Sequence, residues 1–142
     1  MKRVIRTAVF DLDGTLVRTE AIAAEMLEAA LARRGTKLSP EDRNVAVGRT
    51  WASAVDRLIP RYLTEADKQT FTVEVLDSYR DRISKGVEEV PGAVRCVRAL
   101  AAEMPIALVS GSSREEIEII LHGLGILDCF QFGMRNGMEI FC

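Results

Sequence analysis

The sequence is poor in the residues that build zinc sites and disulfide frameworks. Its 142 residues contain one histidine, His122, and three cysteines. The cysteines, Cys96, Cys129 and Cys142, are an odd number without the close spacing of metal ligands, so we expect ordinary reduced thiols. His122 precedes Gly123, a residue typical of helix ends, so a charge at a helix C-terminus explains it better than catalysis.

Long apolar runs and blocks of like charge are also missing. The 19 basic and 21 acidic residues leave a formal net charge of -2, with no basic block to follow a nucleic-acid backbone. No run approaches the ~18 consecutive apolar residues of a membrane span. The positive start Met1-Lys2-Arg3 leads into an apolar segment that is broken by Arg6, unlike a secretory signal. We therefore expect a soluble, cytoplasmic protein without nucleic-acid or membrane partners.

Two short apolar segments, residues 4–10 and 106–109, are typical of buried β-strands. The first ends at Asp11 and the second at Ser110-Gly111-Ser112-Ser113, so each strand delivers polar residues to a loop. A helical pattern follows each loop, and Ser113 with Glu116 forms a capping box for the second. Such strand, loop and helix units predict an α/β core with parallel strands.

Residues 17–88, between the two strand segments, are predicted to be an all-helical insert, with residues 1–16 and 89–142 as the core. Two capping-box patterns, Ser39-Pro40-Glu41-Asp42 and Thr64-Glu65-Ala66-Asp67, predict two helix starts inside it. Three apolar stripes at helical spacing support the assignment. They consist of Ile22, Met26, Leu27, Ala30 and Leu31; of Trp51, Val55, Leu58 and Ile59; and of Phe71, Val75, Tyr79 and Ile83.

A pair of acidic residues, Asp11 and Asp13, follows the first strand segment. Ligands of open parallel sheets bind beyond the carboxyl ends of the strands, so we expect this loop and residues 110–113 to face one pocket. One carboxylate can attack phosphorus while the other protonates the leaving oxygen and then activates water. A solvated turn is the plain alternative. An EF-hand calcium loop is excluded, because its glycine and glutamate positions fall on Leu16 and Ile22.

This chemistry also requires a cation and a phosphate-binding group. Two carboxylates would repel a phosphate, and Mg²⁺ prefers carboxylate, carbonyl and water oxygens, so we infer Mg²⁺ at Asp11 and Asp13. The Ser110 hydroxyl and the Gly111 amide, near a helix N-terminus, are candidate donors to phosphate oxygens. For Ser110 alone, a simple turn at a strand end is the alternative.

Three motifs resemble those of the haloacid dehalogenase-like hydrolase superfamily. The run Ala8-Val9-Phe10-Asp11-Leu12-Asp13-Gly14-Thr15-Leu16-Val17 is similar to its first motif, and Leu108-Val109-Ser110-Gly111 to its second. Val90-Pro91-Gly92 resembles the point where the helical cap of that superfamily returns to the core. The insert position resembles the phosphoglycolate phosphatase and β-phosphoglucomutase branch, and the likeness covers residues 4 to about 130.

The resemblance implies a fold and a role for each matching residue. The fold is a Rossmann-like parallel core, incomplete in this chain, with an inserted α-helical cap domain. Asp11 is the implied nucleophile, Asp13 the acid and base whose carbonyl also binds Mg²⁺, and Ser110 the ligand of the transferring phosphate. The substrate is a small phosphorylated metabolite. The dehalogenases that give the superfamily its name lack the second aspartate, so Asp13 favours phosphoryl transfer.

Two motifs of the superfamily have no counterpart here. The third supplies a lysine, but the last lysine of this chain is Lys85, inside the insert. The fourth supplies acidic Mg²⁺ ligands at a strand end, but the acids that follow Ser110 do not form a closely spaced pair at a strand end. The sequence therefore leaves two hypotheses open, a magnesium-dependent phosphatase or phosphomutase, and a truncated, catalytically impaired relative. Very low activity is expected of this chain.

The end of the chain also departs from the resemblance. Residues 131–142 are predicted not to follow the family pattern, as in a truncated product. In the strand order of the family, residues 4–10 then form an edge strand, and an apolar edge favours self-association. Two insert residues are weaker candidates for substrate contact: Glu20, which is equally a helix first-turn acid, and Arg49, which is equally a surface arginine.

Overall fold

The computed structural model describes residues 5–130, 132–135 and 138–139. It divides the chain into two compact units. The described residues of Met1–Arg18 and Gly86–Cys142 form the first unit, and Thr19–Lys85 forms the second. The chain thus leaves the first unit once and returns to it. The predicted insert, residues 17–88, extends slightly beyond the second unit at both ends.

The described residues contain helices of both units and one sheet. The helices are α1 Glu20–Ala32, α2 Trp51–Tyr62, α3 Lys68–Ser84, α4 Ala93–Ala101 and α5 Arg114–Gly123, and the strands are β1 Ala8–Phe10, β2 Ile106–Ser110, β3 Phe132–Arg135 and β4 Met138–Glu139. The strand order is β1-β2-β3-β4. The two pairs formed by β1, β2 and β3 are parallel, whereas β4 is antiparallel to β3. The predicted α/β class with parallel strands is confirmed, and the antiparallel β4 was not predicted.

Strand β1 is shorter and more exposed than predicted. The sequence predicted a strand over residues 4–10, of which Val4 lies outside the described residues. Ile5 is 73% exposed and Val9 62% exposed, so the predicted burial of this segment is wrong for both side chains. Ile5 precedes β1, and Val9 lies on a face of the sheet that is also exposed at Val109 of β2. Within the described sheet, β1 has a neighbour, β2, on one side only. The predicted edge position of this strand is confirmed for those residues.

Strand β2 and helix α5 carry the apolar core of the first unit. Ile106, Ala107 and Leu108 are at most 2% exposed, although Val109 is 41% exposed. On α5, the predicted stripe is buried, and its members are Ile117, Ile120 and Leu121. The predicted capping box of this helix is confirmed, because Glu116 N–H donates to Ser113 Oγ at 3.3 Å while Ser113 N–H donates to Glu116 Oε2 at 2.7 Å.

The second unit is helical and has its own core. Phe71, Val75, Tyr79 and Ile83 are buried along α3, as their spacing predicted. The neighbouring helices contribute Leu27, Leu31, Val55 and Leu58, all fully buried. Within residues 5–130, 132–135 and 138–139, no helix combines the length and the hydrophobicity that crossing a bilayer requires.

One of the two helix starts predicted for this unit is wrong. Ser39 Oγ accepts the Asp42 amide at 3.2 Å, as in a helix cap, but residues 40–48 form consecutive turns instead of a helix. Asp42 Oδ2 also accepts hydrogen bonds from Tyr62 and Arg61, both at 2.8 Å, and these contacts hold the turns against the end of α2. The start at Thr64 is confirmed, since a 3₁₀ turn there continues into α3.

Strand β3 lies within residues 131–142, which were predicted to depart from the family pattern. Its residues pair in parallel with β2, and Leu108 lies opposite Gly133. A four-residue strand containing a glycine gives little periodic signal, which is why the sequence did not predict it. Residues 131, 136–137 and 140–142 lie outside the described residues.

Candidate functional site

The loop after β1 is a tight, internally bonded turn. The Leu12 carbonyl accepts the amides of Thr15, Leu16 and Val17 at 3.2, 2.8 and 3.3 Å. Gly14 has a φ of 74°, a left-handed conformation that glycine adopts at little cost. Leu12, Leu16 and Val17 are at most 1% exposed. These buried side chains anchor the turn, so the aspartates beside them sit on a rigid support.

A second backbone contact fixes this turn against the segment that returns from the helical unit. Val17 pairs with Glu89 in an isolated antiparallel bridge. On either side of it, the Arg18 amide donates to the Glu88 carbonyl and the Val90 amide donates to the Leu16 carbonyl, both at 2.9 Å. The segment that includes Val90-Pro91-Gly92 therefore supports the aspartate loop directly.

The end of β2 and the loop after it contain three serines and one glycine, in the order Ser110-Gly111-Ser112-Ser113. Ser110, the last residue of β2, is 4% exposed. Its Oγ accepts the amide of Ser112 at 3.0 Å. Ser113 begins α5 through its capping box. The loop thus holds hydroxyls and amides at the N-terminal end of a helix, a place that attracts anions.

The two loops meet at the Asp13 carboxylate. Ser112 Oγ donates to Asp13 Oδ2 at 2.7 Å, and Ser110 Oγ lies 3.4 Å from the same oxygen. In the sequence, Asp13 is separated from Ser110 by 97 positions and from Ser112 by 99 positions. Parallel pairing of β1 with β2 brings the two loops together, since Phe10 lies opposite Leu108 and both strands end at the same edge of the sheet.

Asp11 is the exposed member of the acidic pair. Its Oδ1 accepts the amide of Leu12 at 2.8 Å. Gly111, the second predicted phosphate ligand, is also exposed. Ser112 was not singled out from the sequence, and its position two residues after Ser110 in a serine-rich loop is the signal that could have identified it.

The two weaker candidates lie in the other unit. Glu20 is the first residue of α1. Arg49 is exposed, and its Nη1 donates to the carbonyls of Val45 and Val47 at 3.3 and 3.2 Å. Its guanidinium is thus bonded within its own turn segment. Substrate contact by Glu20 and Arg49 stays a prediction.

The acidic groups of the site set a limit on metal binding. Within the part of the chain that the structure describes, no group of three or more Asp, Glu, His or Cys side chains is placed to hold a metal ion. The described residues therefore add no third such side chain to Asp11 and Asp13, and Mg²⁺ binding at these two residues stays a prediction.

A family model matches most of the sequence. The model of the haloacid dehalogenase-like hydrolases matches residues 5–136. The chain belongs to this family. The match includes the aspartate loop, the serine loop and β3, so the predicted limit of the resemblance, near residue 130, was too early. The family membership predicted from the motifs is confirmed.

Individual relatives are similar over most of this chain. It is 31% identical over 137 residues to a phosphoglycolate phosphatase of Yersinia pseudotuberculosis, covering 90% of this chain and 57% of that protein. It is 29% identical over 132 residues to a bifunctional riboflavin kinase/FMN phosphatase of Arabidopsis thaliana, covering 92% of this chain and 35% of that protein. The chain thus spans between about a third and three-fifths of these curated relatives.

A solved structure supports the fold. CbbY from Rhodobacter sphaeroides, in complex with phosphate, superposes with a TM-score of 0.77 at 17% identity. The superposition covers 95% of this chain and 65% of that one. At this identity the likeness concerns the fold alone, and it confirms the predicted α/β core.

Proposed function

We propose that the site hydrolyses or transfers the phosphoryl group of a small phosphorylated metabolite through an aspartyl-phosphate on Asp11. One observation carries the proposal: the carboxylate of Asp13, two residues after Asp11, meets the hydroxyls of Ser110 and Ser112 at the ends of adjacent parallel strands. Similarity to a phosphoglycolate phosphatase and to an FMN phosphatase supports the reaction class.

In the first step, an Asp11 carboxylate oxygen attacks phosphorus. The bond from Asp11 to phosphorus forms as the bond from phosphorus to the leaving oxygen breaks. The leaving oxygen takes a proton from the Asp13 carboxyl group. In the second step, the Asp13 carboxylate removes a proton from water, the water oxygen attacks phosphorus, and Asp11 is released as a carboxylate together with inorganic phosphate.

The serine loop supplies the donors for phosphate oxygens. Ser110 is buried at the strand end, and the amide of Gly111 lies close to the N-terminus of α5. Hydrogen-bond donors and a helix N-terminus both favour an anion at this point. These groups position the phosphorus for attack by Asp11 and stabilise charge on the equatorial oxygens.

The donor set fits Mg²⁺ shared with a bound phosphate. In proteins this ion is usually held by one or two carboxylates together with phosphate oxygens and water. Asp11 and Asp13 would be its protein ligands. When bound, the ion neutralises the repulsion between these carboxylates and the phosphate.

A second candidate is a catalytically impaired relative. It is favoured by the lack of a third acidic, histidine or cysteine ligand among the described residues. Without a cation beside the nucleophile, less of the developing charge is stabilised. This candidate predicts very low turnover, no faster than that of a variant without the Asp11 carboxylate.

The test is hydrolysis of a generic aryl phosphate with Mg²⁺, measured beside Asp11→Asn, an isosteric variant without a nucleophilic carboxylate. The proposal predicts slow release of phosphate that the variant and a chelator both abolish, and a labelled acyl-phosphate that acid quenching traps on the unaltered chain. Equal rates for the two proteins would favour the impaired relative.

We also propose that copies of this chain associate through β1. Its outer edge lies open within the described sheet, and Val9 and Val109 share one exposed face, because Val9 pairs with Ala107 two positions before Val109. A second β1 strand, related by a two-fold axis, is a self-complementary partner for such an edge.

The cytoplasmic location stays a prediction.

A further inference from the structure

Ser112 connects the two loops of the site through two different groups. Its hydroxyl donates to Asp13 Oδ2 at 2.7 Å, and its backbone amide donates to Ser110 Oγ at 3.0 Å. The side chain is half-buried. One residue therefore contacts both the predicted acid and base and the predicted phosphate ligand.

The distances from Asp13 Oδ2 to the hydroxyls of Ser110 and Ser112 indicate different roles for the two hydroxyls. A separation of 2.7 Å is typical of a good O–H···O hydrogen bond, whereas 3.4 Å, the distance from Ser110, is long. A hydroxyl carries one proton, and Ser112 directs its own to Asp13. Ser110 accepts the Ser112 amide, which fixes its side chain and leaves its proton weakly engaged. Ser110 can then donate to a phosphate oxygen while Ser112 holds the carboxylate.

We propose that Ser112 is a positioning residue that orients the Asp13 carboxyl group for proton transfer to the leaving oxygen. This inference rests on the proposed function. When Asp13 gives up its proton, the bond from Ser112 becomes a charge-assisted one, and such bonds are about twice as strong as neutral ones. Ser112 therefore also stabilises the carboxylate that must next take a proton from water.

The role predicts a dependence on the leaving group. An alkyl phosphate releases a basic oxygen that needs the proton of Asp13, whereas a nitrophenyl phosphate releases a stable phenolate that needs it little. Because well-placed acid catalysis contributes about 100-fold or more, Ser112→Ala should lower kcat for the alkyl phosphate by about 10- to 100-fold. Its kcat for the nitrophenyl phosphate and both KM values should change little.

Two matched variants separate positioning from folding. Ser112→Thr keeps the hydroxyl and should restore most of kcat for the alkyl phosphate. Ser113→Ala, in the same loop, removes the cap of α5 without removing a contact to Asp13. It should lower the melting temperature and leave the ratio of the two kcat values unchanged. Ser112→Cys, which keeps the size with a weaker donor, provides the comparison if Ser112→Ala does not fold.

The outcomes distinguish this inference from the proposed function. Equal losses of kcat on the two substrates, or a threonine variant as slow as the alanine variant, would overturn the role of Ser112 and leave the reaction class intact. Absence of Asp11-dependent turnover in the unaltered chain would overturn the reaction class and the role of Ser112 together.

Discussion

Tyr62 donates its hydroxyl proton to Asp42 Oδ2 at 2.8 Å and accepts the amide proton of Ser39 at 3.1 Å. The same carboxylate oxygen accepts from Arg61 Nη1 at 2.8 Å. The hydrogen bond from Tyr62, followed by that from Arg61, holds the pKa of Asp42 below its ordinary value. This contact ties the turns of residues 40–48 to the end of α2.

The lowered pKa of Asp42 predicts an acid-sensitive helical unit. Because the folded pKa lies below the unfolded one, the stabilisation is fully present above about pH 4 and is lost as pH falls through the folded value. The free energy of unfolding, measured by urea denaturation from pH 7 downwards, should therefore fall at acid pH. Asp42→Asn should be less stable at pH 7 and lose less stability on acidification.

Tyr62→Phe is the matched variant for this prediction, since it removes the hydroxyl and keeps the ring. It should also reduce the acid dependence, because Tyr62 is the largest cause of the shift at Asp42. Part of the dependence should remain in both variants. The pKa of Glu74 is also lowered, since burial raises it but the hydrogen bonds and charges of Arg34 and Arg33 outweigh that effect. Identical acid dependence in Asp42→Asn and the unaltered chain would contradict the prediction.

Two capping boxes with similar sequences show how far local pattern predicts structure. After Asp67, an apolar stripe at helical spacing begins at Phe71, and α3 buries it. After Asp42, the apolar positions are few, and Gly48 has a φ of 67°. A cap can satisfy the first amides of a helix, but burial of an apolar face supplies most of its stability. The sequence after Ser39 lacks an apolar face that a helix could bury.

The candidate site, like the helix starts, was predictable only in part. Strand-end placement was sufficient to bring Asp13 and Ser110 together, because parallel strands place their carboxyl ends at one edge. The hydroxyl of Ser112 was not predictable, since its direction depends on the backbone angles of the loop. Exposure of Val9 was also missed, because an apolar strand sequence does not show whether another element covers each face of the sheet.

Phe71 should be a large single contributor to the stability of the helical unit. It is fully buried on α3, and the guanidinium of Arg34 lies 4.9 Å from its ring centroid. Phe71→Ala should lower the free energy of unfolding by about 3–5 kcal/mol through lost burial and a cavity. Guanidinium chloride denaturation followed by circular dichroism measures the change.

Val73 is the control for that substitution, since it lies on the same helix and is 51% exposed. Val73→Ala should change the free energy of unfolding by no more than about 0.5 kcal/mol. Similar effects at the two positions would show that the helix does not bury the face described above.

The open edge of β1 predicts association between copies of the chain. Val9→Lys places a charge on the exposed face of the strand, a common means of preventing edge pairing. The variant should elute later than the unaltered chain on size exclusion at high protein concentration. Val73→Lys adds the same charge in the helical unit and should leave the elution volume unchanged. A monomeric unaltered chain at every concentration would rule out association through β1.

Arg18 and Glu88 are joined at the point where the chain leaves the first unit and comes back to it. Together with the adjacent hydrogen bond from the Val90 amide to the Leu16 carbonyl, they hold the departing and the returning segments of the chain side by side. For the sheet, the intervening Thr19–Lys85 then acts as one long loop, and each doubling of loop length costs only about 0.6 kcal/mol. Modules of other lengths could be exchanged at this junction without dismantling the aspartate loop, which makes it a natural point of recombination.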